Sequence, residues 1–167
     1  GTSGRPKGAL LPRRAFVASA RASAENLPFG EGDVWLACMP LAHVGGLSLL
    51  TRALVAARPV ALEPRFDPGE VLARIDETGA TLLSAVPTML DALLACDRAG
   101  ALARLRAVLL GGAPASEALL ARAAERRVLA LATYGLTEAC SQVATQAPRD
   151  PSAREPGCGR PLGGVRL

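Results

Sequence analysis

Residues 134–138 read Tyr-Gly-Leu-Thr-Glu and place three chemically useful side chains within five positions. The Tyr134 ring can stack on a base, the Thr137 hydroxyl can donate to a phosphate oxygen, and the Glu138 carboxylate can hold Mg²⁺. A nucleoside triphosphate site requires all three. An apolar run at residues 128–132 precedes the segment, so the same letters also suit an ordinary strand-to-helix turn. These five residues alone leave both interpretations open.

A second segment with phosphate-binding character lies at residues 1–8, which read Gly-Thr-Ser-Gly-Arg-Pro-Lys-Gly. Glycine-rich segments with a lysine cradle phosphates through backbone N–H groups and one point charge. A Walker phosphate loop places Ser or Thr directly after its lysine, whereas Lys7 stands between Pro6 and Gly8, so that class does not fit. A mobile, solvent-facing turn is the alternative.

Composition limits the classes of protein. The chain has 167 residues, of which 50% are hydrophobic, and this predicts one domain with a substantial core. The net charge is +4, but every basic residue except Lys7 is an arginine, and the arginines are scattered singly or in pairs. Aromatic residues are scarce. A solvated surface therefore explains the charge better than nucleic-acid binding, and we expect no nucleic-acid partner.

The cysteines indicate a reducing compartment. The chain contains Cys38, Cys96, Cys140 and Cys158. They lie tens of residues apart without a CxxC pair, and the chain has one histidine, so spacing supports neither a zinc site nor a disulfide framework. We expect reduced thiols in a cytoplasmic protein. Charged residues interrupt the most hydrophobic region well short of the roughly 20 residues a membrane span needs, so we expect no membrane span.

Short apolar runs alternate with helical patterns along most of the chain. Strands are predicted at residues 34–39, 60–63, 81–86, 105–110, 128–132 and 143–145. Helices are predicted at residues 12–26, 47–57, 68–78, 87–96 and 116–127. This alternation predicts an α/β fold with right-handed crossovers, hence a mostly parallel sheet with helices on both faces. Residues 165–167 are predicted to begin another strand.

One helix has clear signals at both ends. Asp67 is an N-cap acceptor, Pro68 suits the first helical position, and Glu70 completes a capping-box arrangement. Gly79 is typical of a helix end.

Segments with glycine or polar residues follow the predicted strands. They are residues 40–46 with His43, residues 87–88, residues 111–114 and residues 133–138. In parallel sheets, ligands bind beyond the carboxyl ends of the strands. The pattern therefore predicts that these segments meet in one cleft.

Four segments together resemble a known family. Residues 2–8, 39–47, 111–114 and 134–138 resemble motifs of the AMP-forming acyl-CoA synthetase and adenylation-domain superfamily. These are a phosphate loop closing in Gly-x-Pro-Lys-Gly, a Pro-Leu-x-His-x-x-Gly segment, an adenine-side loop and a Tyr-Gly-x-Thr-Glu signature. All four occur in the family's order over nearly the whole chain. The resemblance implies that residues 1–167 are part of the large N-terminal domain of an adenylate-forming enzyme.

The resemblance also implies roles for individual residues. The ATP phosphates would be lined by Thr2, Ser3, Gly4 and Lys7. The adenine would be held by Gly112, Ala113, Pro114, Tyr134 and Gly135. Thr137 would contact the α-phosphate, Glu138 would bind Mg²⁺, and His43 would stand at the acyl pocket. Lys7, His43, Thr137 and Glu138 are thus the catalytic candidates. A histidine that only fills space in its loop is the alternative for His43.

Within the superfamily, residues 134–142 and 157–162 are most similar to the o-succinylbenzoate:CoA ligases of menaquinone biosynthesis. Their substrate carries a second carboxylate, which an arginine suits, and Arg52 is the candidate. The alternatives are that Arg52 pairs with a core carboxylate or reaches the surface. Pro87, Ser141 and Gln142 are further substrate candidates. The last two could donate hydrogen bonds to substrate, although a strand edge would hold them equally well.

The implied reaction uses ATP, Mg²⁺ and CoA. A small-molecule carboxylic acid would be activated as its acyl-adenylate, and the CoA thiol would then displace AMP. Two alternatives stay open: a ligase for another fatty or aryl acid, and a truncated module that binds nucleotide or acyl ligand without turnover.

The chain also departs from the family pattern. No residue matches the family's ribose-binding aspartate, and Lys7 is the only lysine, so the family's C-terminal catalytic lysine has no counterpart. We therefore expect a fragment that is itself inactive and lacks the lysine-bearing C-terminal domain. Exposed sheet edges would favour self-association, and hence a homo-oligomer.

Overall fold

The structure is a computed structural model that describes residues 8–149 and 157–166. Within these residues the chain forms one sheet flanked by helices. The helices are α1 Arg13–Asn26, α2 Val44–Ala56, α3 Pro68–Thr78, α4 Pro87–Cys96 and α5 Glu117–Glu125. The strands are β1 Trp35–Ala37, β2 Val60–Leu62, β3 Leu82–Ala85, β4 Ala107–Leu110, β5 Ala130–Leu136, β6 Ser141–Thr145 and β7 Arg160–Pro161. Short 3₁₀ helices span Ala101–Arg104 and Thr137–Ala139.

The sheet has the strand order β2-β1-β3-β4-β5-β6-β7. The first five strands are parallel, whereas β6 and β7 are antiparallel to their neighbours. This confirms the prediction of a mostly parallel sheet. Leu110 of β4 pairs with both Ala85 of β3 and Ala132 of β5. The segments that follow these positions therefore leave the sheet at the same edge.

The central strands β1, β3 and β4 are buried on both faces of the sheet, as predicted. Leu36 and Val108 belong to a hydrophobic cluster that includes residues of α3, α4 and α5. Their strand neighbours Trp35 and Leu109 belong to a second cluster with Leu49 of α2, against which α1 packs. Successive side chains of a strand point to opposite faces, so central strands buried on both sides are apolar throughout.

Capping residues mark both ends of α3 and the start of α5. The Asp67 carboxylate accepts hydrogen bonds from the backbone N–H groups of Gly69 and Glu70, at 2.9 and 3.1 Å. Gly79 ends α3 with a φ of +63°. The Ser116 hydroxyl caps α5 by accepting from Leu119 N–H at 3.2 Å. None of the described helices combines the length and apolar character needed to cross a bilayer.

Several element boundaries differ from the prediction. Helix α2 begins at Val44 rather than at residue 47, so the preceding loop is shorter. Strand β5 continues to Leu136, because β6 folds back and pairs with residues 133–136, which were predicted to follow the strand. The last described strand is Arg160–Pro161; residues 165–166 are irregular, and Leu167 lies outside the described residues.

Candidate active site

The described residues predicted to bind nucleotide, together with His43, gather where the parallel strands end, a surface we call the carboxyl edge. The strands beneath it are buried, whereas these residues are exposed. The exposed set comprises His43, Gly112, Ala113, Pro114, Tyr134, Gly135, Thr137 and Glu138. Tyr134 retains 53% of its accessible surface, so its ring is available to a ligand. The topology thus brings together segments that are up to 95 residues apart in sequence, from His43 to Glu138.

The loops of this edge pack directly on one another. A Cβ atom at Gly111 would lie 2.9 Å from the Thr133 methyl carbon. One at Gly112 would lie 3.0 Å from a Val86 methyl carbon, and Gly112 has a φ of +81°. Val86 is the N-cap of α4, whose first residue, Pro87, is half-buried. The adenine-side loop therefore lies in contact with the segments on either side of it.

The hairpin formed by β5 and β6 carries the signature residues. Its pairing register shifts between Tyr134 and Gly135, which is a β-bulge. A Cβ atom at Gly135 would overlap the Ser141 carbonyl group, so only glycine fits this position. A bulge of this kind bends a strand and redirects the residues beyond it. Here the extra, unpaired residue is Val143 of β6.

A directed chain of hydrogen bonds runs inside this hairpin. The Thr133 hydroxyl lies 3.0 Å from the Ala144 carbonyl and 2.9 Å from the Thr145 hydroxyl. Since Thr133 donates to the carbonyl, Thr145 must donate to Thr133 and accept from Gln142 Nε2, at 2.7 Å. Gln142 Oε1 is buried without a partner among the described residues. The free group of Gln142 is therefore an acceptor, and its nitrogen is committed within the hairpin.

Arg52 lies inside the protein, with 5% of its surface exposed. Its guanidinium carbon is 5.3 Å from the centroid of the Trp35 ring, and Nη2 donates to the Ser141 hydroxyl at 3.4 Å. Nε has no partner, and no carboxylate among the described residues pairs with the side chain. Arg52 therefore neither reaches the surface nor pairs with a core carboxylate; both of those alternatives are wrong.

Burial lowers the pKa of the Arg52 guanidinium to about 10, because a low-dielectric interior disfavours the charged form. The side chain is still a cation at neutral pH. The ring of Trp35 and the Ser141 hydroxyl stabilise this charge only partly, since neither carries a negative charge.

A cavity of about 460 Å³ lies between α1 and α2, beside the amino end of β1. It has a mostly apolar lining that includes Ser23, Leu27, Phe29, Trp35, Arg52 and Val55. None of its lining residues belongs to the exposed set at the carboxyl edge. Arg52 connects the two regions, because it lines the cavity and also reaches Ser141 at the start of β6.

Residues 1–167 match the family model described as AMP-binding enzyme. The chain belongs to this family of AMP-binding enzymes. This confirms the resemblance drawn from the four motifs.

The chain is also similar to individual proteins. It is 42% identical over 163 residues to a 2-succinylbenzoate–CoA ligase from Bacillus licheniformis, covering 97% of this chain and 34% of that protein. The o-succinylbenzoate CoA synthetase from Bacillus subtilis in complex with the acyl-adenylate intermediate OSB-AMP superposes with a TM-score of 0.88 at 37% identity, covering 98% of this chain and 34% of that one.

The same Bacillus subtilis enzyme in complex with ATP and magnesium ion gives a TM-score of 0.87 at 37% identity, covering 98% of this chain and 34% of that one. The chain thus spans about a third of the length of the curated relatives it matches. The similarity confirms the closer likeness to the o-succinylbenzoate:CoA ligases.

Four of the predicted phosphate contacts, Thr2, Ser3, Gly4 and Lys7, lie outside the described residues. Their roles remain predictions. His43 is the N-cap of α2 and makes no side-chain cap hydrogen bond, while its backbone N–H donates to the Pro40 carbonyl at 3.1 Å. Its exposed imidazole lies at the carboxyl edge, as predicted, and the structure gives it no packing role in its loop.

Sequence reasoning missed several residues that shape the site. Trp35 beneath Arg52, and Thr133 and Thr145 in the hairpin, contact residues predicted to bind ligand. Ser19 on α1 contacts Cys140, which lies between Glu138 and Ser141. Thr133 adjoins the signature segment and Thr145 ends a predicted strand, so their positions alone could have drawn attention. Ser19 and Trp35 gave no such signal, because each reaches the site only through tertiary contacts.

Proposed function

We propose that the complete protein activates a carboxylic acid as an acyl-adenylate and transfers the acyl group to CoA, and that the acid is o-succinylbenzoate. The observation that best supports this proposal is a buried arginine without a counter-ion near residues 134–138. Arg52 contacts Ser141, which lies three residues after Glu138. The bound ATP, magnesium and acyl-adenylate of the Bacillus subtilis relative support the same reaction.

The carboxyl edge has groups suited to each part of Mg·ATP. Tyr134 offers a ring face and residues 112–114 offer backbone for the adenine, and Thr137 donates to the α-phosphate. Lys7 and residues 2–4 hold the other phosphates. All of the described members of this set are exposed and so are free to meet a ligand. We assign His43 to the entrance of the acyl pocket.

Glu138 suits magnesium. The described residues include no cluster of three or more His, Cys, Asp or Glu that could hold a metal by themselves. Mg²⁺ in phosphoryl-transfer sites is held by one or two carboxylates together with substrate phosphates and water, so a single exposed carboxylate fits. The ion supplies charge neutralisation on the phosphate oxygens.

The reaction depends mainly on how the reacting groups are positioned. An oxygen of the substrate carboxylate attacks the α-phosphorus, the bond from that phosphorus to the bridging oxygen breaks, and pyrophosphate leaves. The carboxylate is already ionised, so the first step needs no general base. In the second step the CoA sulfur attacks the acyl carbon and AMP leaves. Donors aimed at the phosphate oxygens are appropriate for this reaction.

Arg52 would recognise the second carboxylate of the substrate. A buried cation without an anion is unfavourable, and a bound carboxylate would offset much of that cost through charge-assisted hydrogen bonds. The Ser141 hydroxyl, already 3.4 Å from Arg52 Nη2, would share that carboxylate. The Trp35 ring and the apolar cavity lining suit the hydrocarbon part of an aromatic acid.

The test uses the full-length protein with Mg·ATP and either o-succinylbenzoate or an aromatic acid of similar size with one carboxylate. We expect mass spectrometry to trap the adenylate of o-succinylbenzoate. Arg52→Met should raise the KM for the dicarboxylic acid by about 30- to 100-fold, as expected for loss of a charge-assisted hydrogen bond, and barely affect the other acid. Arg58→Met, just after α2, is the matched control and should leave both KM values unchanged.

Two outcomes would favour the alternatives. Adenylate formed only from fatty or other aryl acids would reassign the substrate and remove the role of Arg52. Nucleotide binding without any pyrophosphate release would indicate a binding module rather than an enzyme.

A further inference from the structure

Residues 137–141, which comprise the connection between β5 and β6 and the first residue of β6, have an unusual backbone; we call them the signature turn. Cys140 has a φ of +57° and Ser141 a φ of +108°, although neither is a glycine. Residues with a Cβ atom rarely adopt such angles, and they do so only where the surrounding structure holds them. The contacts that hold this turn therefore matter to Thr137 and Glu138, which it carries.

Cys140 is held through both of its backbone polar groups. Its N–H donates to the Thr137 carbonyl at 3.0 Å, within the turn. Its carbonyl accepts from the Ser19 hydroxyl of α1 at 3.1 Å, across 121 positions of sequence. The Cys140 side chain is 1% exposed, so the residue is also packed. Ser19 thus provides a hydrogen bond to the strained residue from outside the hairpin.

Helix α1 makes a second hydrogen bond to this part of the sheet. Asn26 Nδ2 at its last position donates to the Gln146 carbonyl at 3.1 Å, just beyond β6. That contact lies far from the signature turn. The start of α1 at Arg13 follows closely on residues 1–8, the segment predicted to bind phosphate. Helix α1 therefore contacts the chain on both sides of β6, at Cys140 and at Gln146.

We propose that Ser19 is a positioning residue: its hydrogen bond to the Cys140 carbonyl fixes the signature turn on α1 and thereby sets the positions of Thr137 and Glu138. The catalytic consequence rests on the proposed function. The structural part, that Ser19 holds the turn closed, does not depend on it.

Cysteine labelling tests the structural part directly. Cys140 is buried in the turn, Cys38 is buried in the core, and Cys96 is exposed. In the full-length protein, iodoacetamide labelling followed peptide by peptide with mass spectrometry reports opening at each cysteine. Ser19→Ala should speed labelling of Cys140 about tenfold, since local opening becomes easier when one hydrogen bond is lost. Labelling of Cys38 should stay unchanged.

Two control variants sharpen the result. Ser19→Thr keeps the hydroxyl and should restore slow labelling of Cys140. Asn26→Ala removes the other hydrogen bond of α1 and should leave Cys140 slow. The proposal is overturned if Cys140 labelling does not change in Ser19→Ala, or if Cys140 and Cys38 speed up together, because the latter indicates global loosening.

Kinetics test the catalytic part. Ser19→Ala should lower kcat for pyrophosphate release by about tenfold or more, because small displacements of catalytic groups are costly, with the KM of the carboxylic acid nearly constant. Ser19→Thr should recover most of the rate. Faster Cys140 labelling with an unchanged kcat would overturn the positioning role. A wild-type protein that forms no adenylate would instead overturn the proposed function, while the labelling result would still decide whether Ser19 holds the turn.

Discussion

The two edges of the parallel sheet differ in how their polar groups are used. At the amino edge, the Asp33 carboxylate accepts hydrogen bonds from Gly30 N–H at 2.9 Å, from the Thr81 hydroxyl at 2.7 Å and from Arg106 at 2.8 Å. Arg106 also donates to the Pro28 carbonyl. This cluster ties together the chain segments that enter β1, β3 and β4.

At the carboxyl edge, polar groups are exposed or lack partners. Thr137 and Glu138 face solvent, and Gln142 Oε1 has no partner among the described residues. Arg52 Nε, buried below this edge, is likewise without a partner in the part of the chain that the structure describes. Hydrogen bonds at the amino edge therefore stabilise the sheet. The carboxyl edge instead has strained backbone and polar groups that are available to a ligand.

The strongest test of this difference between the two edges is to remove the exposed polar groups of the carboxyl edge. We expect Glu138→Gln and Thr137→Val in the full-length protein each to lower the rate of pyrophosphate release by about 100- to 1,000-fold, as for other preorganised electrostatic groups. The melting temperature should not change, because both side chains are exposed. Wild-type rates in both variants would mean that the carboxyl edge is not the active site.

A glycine at each edge provides a matched pair. Gly135→Ala would force a Cβ atom onto the Ser141 carbonyl and should cost about 3 kcal/mol of unfolding free energy, together with activity. At Gly30 a Cβ atom would lie 3.8 Å from its nearest neighbour, the Asp33 carboxylate, so Gly30→Ala should be close to neutral. Urea unfolding measures both. Equal effects would contradict the close approach of the Ser141 carbonyl to Gly135.

At the amino edge the expected effect is on stability alone. Asp33→Asn should lower the free energy of unfolding by about 2 kcal/mol, because it weakens hydrogen bonds from a charged partner and from Gly30 and Thr81. The kcat of the folded enzyme should stay within twofold of wild type. A large loss of kcat would show that the two edges are coupled rather than independent.

The lowered pKa of Asp33 also predicts how the stability of the protein depends on pH. Burial by itself raises the pKa of Asp33, but hydrogen bonds from Arg106, Thr81 and Gly30 outweigh it and leave the pKa below its usual 3.8. A lowered folded-state pKa means that Asp33 stabilises the fold above about pH 4 and that this contribution is lost as the pH falls below that value. Unfolding curves of wild type and Asp33→Asn should therefore converge at low pH.

The smallest expected effect concerns Arg52, whose replacement should raise the free energy of unfolding rather than lower it. Without substrate, Arg52→Met should raise the free energy of unfolding by about 1 kcal/mol, since it replaces an uncompensated buried charge with an apolar chain of similar length. Thermal melts with and without o-succinylbenzoate measure it. A destabilised variant in the absence of ligand would show that Trp35 and Ser141 already compensate the charge.

The sequence by itself determined the local structure and the family. Asp67 and Gly79 mark the ends of α3 because capping depends on neighbouring backbone groups, and continuous apolar runs mark strands buried on both faces. Alternation of strands and helices was enough to predict a parallel sheet. Because His43, residues 112–114 and Glu138 each follow a predicted parallel strand, the sequence also predicted that they lie at one edge.

Only the tertiary structure decided the rest. The reversal of β6 placed residues 133–136 within a strand, since no local signal specifies which strand pairs with which. The burial of Arg52 against Trp35 and the hydrogen bond from Ser19 to Cys140 depend on residues 17 and 121 positions apart, respectively. Such contacts follow from the packing of α1 and α2 on the sheet, whereas sequence patterns report mainly the few residues around each position.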